Sequence, residues 1–310
     1  MTITLSLKVH EGVILAADSA STVIGQGPTG EPLVINVYNN ANKIFNLLKG
    51  APIGTSIWGT GSIGQASISM LLKDLRRRFG GVDKSHGEKW RIDPSSYTIE
   101  KVAELVREFI FEEHYQPNFK EWPQKPDLGL LVVGYSAKST HAEEFQIDVV
   151  NGECAPPRLL RDATESGMTW NGQIEAISRL VLGYSPTLPD ILRNAVGLSD
   201  EQLAGVVDML STQLNSGYIQ EAMPLQDAID LACFLVDASI RHSQFAPGAP
   251  VVGGAIELAA ISRHEGFKWI RRKYFYSSHL NPMLPESEVE IARLSGFSSD
   301  PEFPTRSPNS

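Results

Sequence analysis

The chain has 310 residues, of which 42% are hydrophobic and 20% charged; this is the balance of a soluble globular protein and excludes a disordered one. A net charge of -9 excludes a general nucleic-acid binder, because phosphate contacts need a surplus of Lys and Arg, and it disfavours acidic membrane surfaces. The two cysteines, Cys154 and Cys233, have no C-x-x-C spacing, which argues against a thiolate zinc site or a disulfide framework and suits a reducing, cytoplasmic setting.

Residues 2–9 (TITLSLKV) alternate polar and apolar, and 13–18 (VILAAD) form a buried run. The turn signal His10-Glu11-Gly12 joins them into a predicted β-hairpin. This beginning lacks the basic start and unbroken apolar core of a signal peptide, and no segment reaches the length of a transmembrane helix. Residues 20–42 are rich in Gly, Pro and Asn, with a strand predicted at 33–38. Short strands follow at 43–47 and 52–58, then Gly59, Gly61 and Gly64. A helix comes next, with Ile68, Leu71, Leu72, Leu75 and Phe79 on one face and Arg76, Arg77 and Arg78 at its negative end.

The segment 80–97 reads as a loop, 98–114 as a second helix, and 128–135 and 143–150 as strands. A third helix is predicted over 172–182. An insertion at 185–222 adds one or two helices, with Ser199 and Gln202 spaced as a capping box. A long helix spans 225–242, and a last hairpin (253–261 and 267–274) turns at His264-Glu265-Gly266. Charges along 268–275 suit a guarded edge strand. The domain therefore covers 1–275, and 276–310, rich in Ser and Pro without periodicity, reads as a flexible tail. Paired helices between antiparallel hairpins do not make βαβ units. Two antiparallel sheets packed face to face with helices outside fit this order, an α+β class.

Gly59, Gly61 and Gly64 match G-x-G-x-x-G, but a dinucleotide loop needs a parallel βαβ unit and an acidic residue ending its second strand. Asp83 has about the right spacing, yet no apolar strand leads to it. A glycine at a strand end can instead present its backbone N–H to an oxyanion, and that role needs a nucleophile. The chain has no G-x-S-x-G elbow, no H-E-x-x-H and no His-carboxylate cluster with metal spacing, so no metal or organic cofactor is indicated. Thr2 remains. With Met1 removed it carries a hydroxyl and an α-amine of pKa about 7.7–8.0, which can take the proton of its own hydroxyl.

With these residues in view, TITLSLKVHEGVILAADSAST resembles the start of a mature proteasome β-type subunit, an N-terminal nucleophile (Ntn) hydrolase. The likeness continues through NKIFNL, IGTSIWGTGSIGQASISML, LGLLVVGY and GGAIELAAIS. It is strongest over the first 75 or so residues. The resemblance implies a four-layer αββα sandwich with its site where the first strand begins. It implies Thr2 as nucleophile, Asp18 as its buried aspartate, Lys43 as its lysine and Gly59 as its oxyanion-hole glycine. Asn171-Gly172 stands where the family has a Ser-Gly pair opening the third helix. At the end of the long helix, ungapped matching puts His242 or Ser243 near the family's aspartate, whereas counting back from Gly253-Gly254 puts Ala249 and Val252 at its aspartate and serine. Asn171 and Ser243 are thus the candidates for orienting the α-amine, without the family's negative charge.

The resemblance implies a proteasome-type threonine peptidase acting on a peptide or protein through an acyl-enzyme, without cofactor, as a cytoplasmic homo-oligomer or ring. No nucleic acid or membrane is expected as partner; an ATPase partner and the ring symmetry are left open by the sequence. The alternatives are a catalytically inactive scaffold or interaction subunit with the same fold, and a non-peptide amidohydrolase using the same nucleophile.

Overall fold

The computed structural model describes residues 2–26, 32–82, 87–162 and 164–273. The predicted tail 276–310, Met1 and Asp83 lie outside the described residues.

The predicted first hairpin is β1 (Ile3–Val9) with β2 (Gly12–Ala17). The Gly-rich segment after it holds a second hairpin, β3 (Ser21–Gln26) with β4 (Pro32–Tyr38). Only β4 was legible in sequence. STVIGQ is short and contains a glycine, and its pairing with β4 is what makes it a strand. Strands β5 (Ile44–Asn46) and β6 (Ile53–Gly59) follow as expected. A small hairpin, β7 (Ser62–Ile63) with β8 (Ala66–Ser67), separates the glycines from helix α1 (Ile68–Phe79). The Ser67 hydroxyl caps α1 by accepting the N–H of Met70 at 3.1 Å.

Helix α2 (Ile99–Arg107) runs on into a π-helical stretch (Glu108–Tyr115) and a last turn, α3 (Gln116–Phe119), beyond the predicted end at 114. Arg78, at the end of α1, lies over the rings of Trp90 and Phe109 and pairs with Glu113 at 2.8 Å. Strands β9 (Leu128–Tyr135) and β10 (Ala142–Val150) match expectation; β11 (Glu153–Cys154) and β12 (Arg158–Arg161) are additional.

The predicted third helix begins late. Residues Gly167–Gly172 are strand β13, paired with β1, and helix α4 spans Glu175–Leu182. Backbone pairing with β1 overrides local preference here, so Asn171-Gly172 ends a strand rather than opening a helix. The insertion contains α5 (Leu188–Ile191), a π-helical turn (Leu192–Val196) and α6 (Asp200–Gln213), and the Ser199/Gln202 capping box is present. Helix α7 (Leu225–Phe245) and the hairpin of β14 (Glu257–Ser262) with β15 (Gly266–Arg271) complete the unit.

The strands form two larger sheets, ordered β13-β1-β2-β14-β15 and β11-β10-β9-β6-β5, with β12 also paired to β10. Every paired neighbour among the described residues is antiparallel. Three buried clusters organise the protein. Ile3, Leu5 and Leu7 of β1 pack with Ile177 of α4 and Ala232 and Leu235 of α7. Ile57, Leu130 and Ile147 of the second sheet pack with Leu72 of α1, Val102 of α2 and Phe109. The third cluster joins the sheets themselves: Val13 and Leu15 of β2 and Ile261 of β14 meet Leu131 and Val133 of β9. Each fully buried aliphatic side chain of this kind contributes about 1.5–3 kcal/mol.

The alternation of β1 is real, but its polar face is not solvated. Thr4, Ser6 and Lys8 are buried along with their apolar neighbours. Ser6 donates to the Glu144 carboxylate on β10, Lys8 donates to the carbonyl of Asp162, and Arg161 pairs with Glu144 at 2.6 Å. A polar seam therefore runs along β1, and each of its charges is partnered.

Candidate active site

The centre of the site is Asp18, placed at the end of β2 and fully buried. Its Oδ1 accepts from the Thr2 hydroxyl and from the N–H of Ile3, each at 3.0 Å, and from the Lys43 ammonium. Its Oδ2 accepts from the N–H of Ala20 and of Gly253, each at 3.0 Å. A buried carboxylate is tolerated only with such a set of donors. Thr2 and Lys43, at the starts of β1 and β5, are themselves buried and converge on the same carboxylate oxygen. Burial pushes the Lys43 ammonium below its ordinary pKa, while the Asp18 carboxylate opposes that shift.

Gly59 ends β6 with φ +90°, and a Cβ there would stand 2.4 Å from the carbonyl oxygen of Asp127, so only glycine fits. It lines a cavity of about 980 Å³ together with Thr2 and Lys43. Ser21, Thr22 and Tyr38 from the β3–β4 hairpin and Trp58 and Thr60 from the end of β6 complete much of the wall. Because β6 is antiparallel to both β5 and β9, the glycines do not sit in the parallel unit a dinucleotide loop requires.

Thr2, Lys43 and Gly59 thus line one cavity and Asp18 bonds the first two; Asn171 and Ser243, expected to orient the α-amine, are not among the described residues that line it. Asn171 lies opposite Thr4 in the β1–β13 ladder, and the Ser243 hydroxyl accepts the N–H of Val252 at 3.3 Å. Neither is a hydrogen-bond partner of the Thr2 side chain. The residues next to Asn171 hold Thr2 instead. Gln173 donates its N–H to the Thr2 carbonyl at 2.7 Å, and Gly172, at φ +96°, passes so close that a Cβ would lie 2.0 Å from that oxygen. Gly172→Ala is accordingly expected to lower the unfolding free energy by at least about 2 kcal/mol, read from a urea transition. A change within about 0.5 kcal/mol would show that the β1–β13 contact can relax.

Ser243 supports the turn whose next residue, Gly253, donates to Asp18. Sequence reasoning missed three contributors, Gly253, Glu257 and Lys273. Glu257 accepts the N–H of Lys43 at 3.3 Å, and Lys273 lies 3.6 Å from Glu257. A Glu heading the apolar run ELAAIS was the available signal for the first of the pair. Lys273 read instead as an edge charge.

Among the described residues, no group of three or more His, Cys, Asp or Glu is arranged to hold a metal ion, and no helix is long and apolar enough to cross a membrane.

No protein-family model matches the chain, and no curated protein matches it. Among solved structures, it is similar to a Gly-1 mutant of Anbu from Hyphomicrobium sp. strain MC1, at 14% identity over 97% of this chain and 99% of that one, with a TM-score of 0.48. It is also similar to Anbu (ancestral beta-subunit) from Yersinia bercovieri, at 12% identity over 96% and 98%, with a TM-score of 0.43.

Proposed function

We propose that the protein is a threonine-type N-terminal nucleophile hydrolase of the proteasome β-subunit kind, with a four-layer αββα arrangement, that cleaves an amide in a peptide. One observation carries the reading: the Thr2 hydroxyl and the Lys43 ammonium share one oxygen of Asp18 at a cavity that Gly59 also lines.

The chemistry follows from the groups. Once Met1 is removed, the Thr2 α-amine takes the hydroxyl proton as Oγ1 attacks the substrate carbonyl carbon. The Gly59 N–H stabilises the tetrahedral oxyanion, an interaction whose loss typically costs about 10²–10³ in rate. The amine returns its proton to the departing nitrogen as the C–N bond breaks, leaving an ester on Thr2. Water, deprotonated by the same amine, then attacks the ester; the acyl C–Oγ1 bond breaks, the amine returns the proton to Oγ1, and the acid is freed. Asp18 holds Lys43 charged, and that charge favours the alkoxide character of Oγ1. Among the described residues, Lys43 is the one charged side chain lining the cavity, and it is already paired with Asp18, so the lining offers no free charge to select a substrate side chain. Residues 1–275 form the catalytic domain with the 185–222 insertion, and the active protein is a cytoplasmic homo-oligomer.

A second reading is an inactive scaffold with the same fold. It draws on the corner around Ser243 and Val252, which supplies a hydroxyl bound to backbone rather than a carboxylate directed at Thr2.

Intact mass of the natively produced protein, before and after a β-lactone probe, tests the proposal. The expected result is loss of Met1 and one added acyl group on Thr2. Retention of Met1, or a processed Thr2 that no probe acylates, favours the scaffold.

A further inference from the structure

Two buried charges at the site take no part in the chemistry above. Glu257 begins β14 and is 1% exposed, and the Lys273 side chain, just past β15, is 5% exposed. The Glu257 carboxylate touches both lysines. It accepts the Lys43 backbone N–H at 3.3 Å and lies 3.6 Å from Lys273 Nζ. Lys273 in turn donates to the Ser19 hydroxyl at 2.8 Å and to the carbonyl of Ala41. Ser19 follows Asp18, and Ala41 lies two residues before Lys43. These two segments are also tied directly, by the Ala41 N–H on the Ser19 carbonyl at 2.9 Å.

A buried ion pair is a poor source of net stability, since well-packed apolar residues of the same volume commonly do as well or better. This pair contacts the backbone on both sides of the Asp18–Lys43 contact. We propose that Glu257 and Lys273 are positioning residues: they lock the segment carrying Lys43 against the segment carrying Asp18, so that the Lys43 ammonium meets the oxygen that also binds the Thr2 hydroxyl. The consequence for catalysis rests on the hydrolase reading; the positioning of Lys43 does not.

Besides burial, which lowers the pKa of Lys43, three charges act on it: Asp18 and Glu257 raise it and Lys273 lowers it. Arg272 acts on Glu257 and Lys273, and Asp18 raises Lys273. Burial pushes Glu257 up and Lys273 down, and each opposes the shift of the other. In Lys273→Met the lost cation by itself raises the Lys43 pKa, whereas a lost Asp18 contact lowers it, so the position of Lys43 is read directly.

The experiment determines crystal structures of the full chain and of its Lys273→Met and Glu257→Gln variants, and in parallel measures the rate of Thr2 acylation by a β-lactone. In each variant the Lys43 ammonium is expected to leave hydrogen-bond distance of the Asp18 oxygen that it meets in the parent. Acylation falls about tenfold in Lys273→Met and recovers to within about threefold of the parent in Lys273→Arg, because a displaced catalytic group costs rate steeply. A Lys43–Asp18 contact kept in either variant overturns the proposal whether or not Thr2 is acylated. If Lys273→Met does not fold, Glu257→Gln decides alone: a lost contact supports the pair, and a kept one overturns it. An unreactive Thr2 in the parent chain would instead count against the hydrolase reading and leave the structural result standing.

Discussion

Asp18→Ala is expected to lower the unfolding free energy by about 3–5 kcal/mol, because it leaves a buried cation unpaired. The carboxylate accepts from five donors: the Thr2 hydroxyl, the Lys43 ammonium and the N–H groups of Ile3, Ala20 and Gly253. Each buried donor left without an acceptor costs about 1–3 kcal/mol, though the sum is not additive. Asp18→Asn keeps the volume but turns an amide NH₂ toward part of a donor shell, so it relieves little of the loss. The diagnostic comparison is Asp18→Ala with and without Lys43→Met in guanidinium transitions. Removing the lysine as well should recover about 1–3 kcal/mol, the range of coupling between contacting residues. Simple additivity of the two losses would mean that Lys43 finds another partner, and the pair would cease to be the centre of the site.

Thr2→Ala is expected to reduce hydrolysis and acylation by about 10⁴-fold or more, the scale on which loss of a nucleophile acts. Alanine retains the α-amine after Met1 removal, so the variant isolates the hydroxyl. Asp18 keeps four of its five donors, and the unfolding free energy should drop by only about 1 kcal/mol. Size-exclusion behaviour should not change. Activity equal to the parent in this variant would remove Thr2 from the chemistry altogether.

The first part of the chain was the most legible. Alternation in TITLSLKV, the apolar run VILAAD and the spacing of Leu71, Leu72 and Leu75 are local patterns, set by residues a few positions apart, and the corresponding hairpin and helix are present. Thr2, Asp18, Lys43 and Gly59 could be singled out because each stands at the end or start of such an element and carries a recognisable chemistry. Asn171 and Ser243 were placed by analogy of position, and their neighbourhoods depend on pairings that local pattern does not encode. The β1–β13 ladder turned Gly172 into the close neighbour of Thr2, and the chain around Val252 took up the Ser243 hydroxyl.

By itself, then, the sequence determined the first hairpin, the main helices and the apolar faces that become the core, and it singled out Thr2, Asp18, Lys43 and Gly59 near its beginning. Tertiary structure alone decided which charges are buried together. Gly253 meets Asp18 across 235 positions and Lys43 meets Glu257 across 214, because β14 pairs with β2 and carries the far end of the chain to the site. Thr4, Ser6 and Lys8 alternate with apolar residues in sequence and are all buried; for Ser6, burial is stable because Glu144 stands opposite as a partner. Periodicity reports whether a residue faces its own element's apolar side. Whether a charge on the other side meets water or a partner is set by the second sheet, and for Lys273 it was the partner.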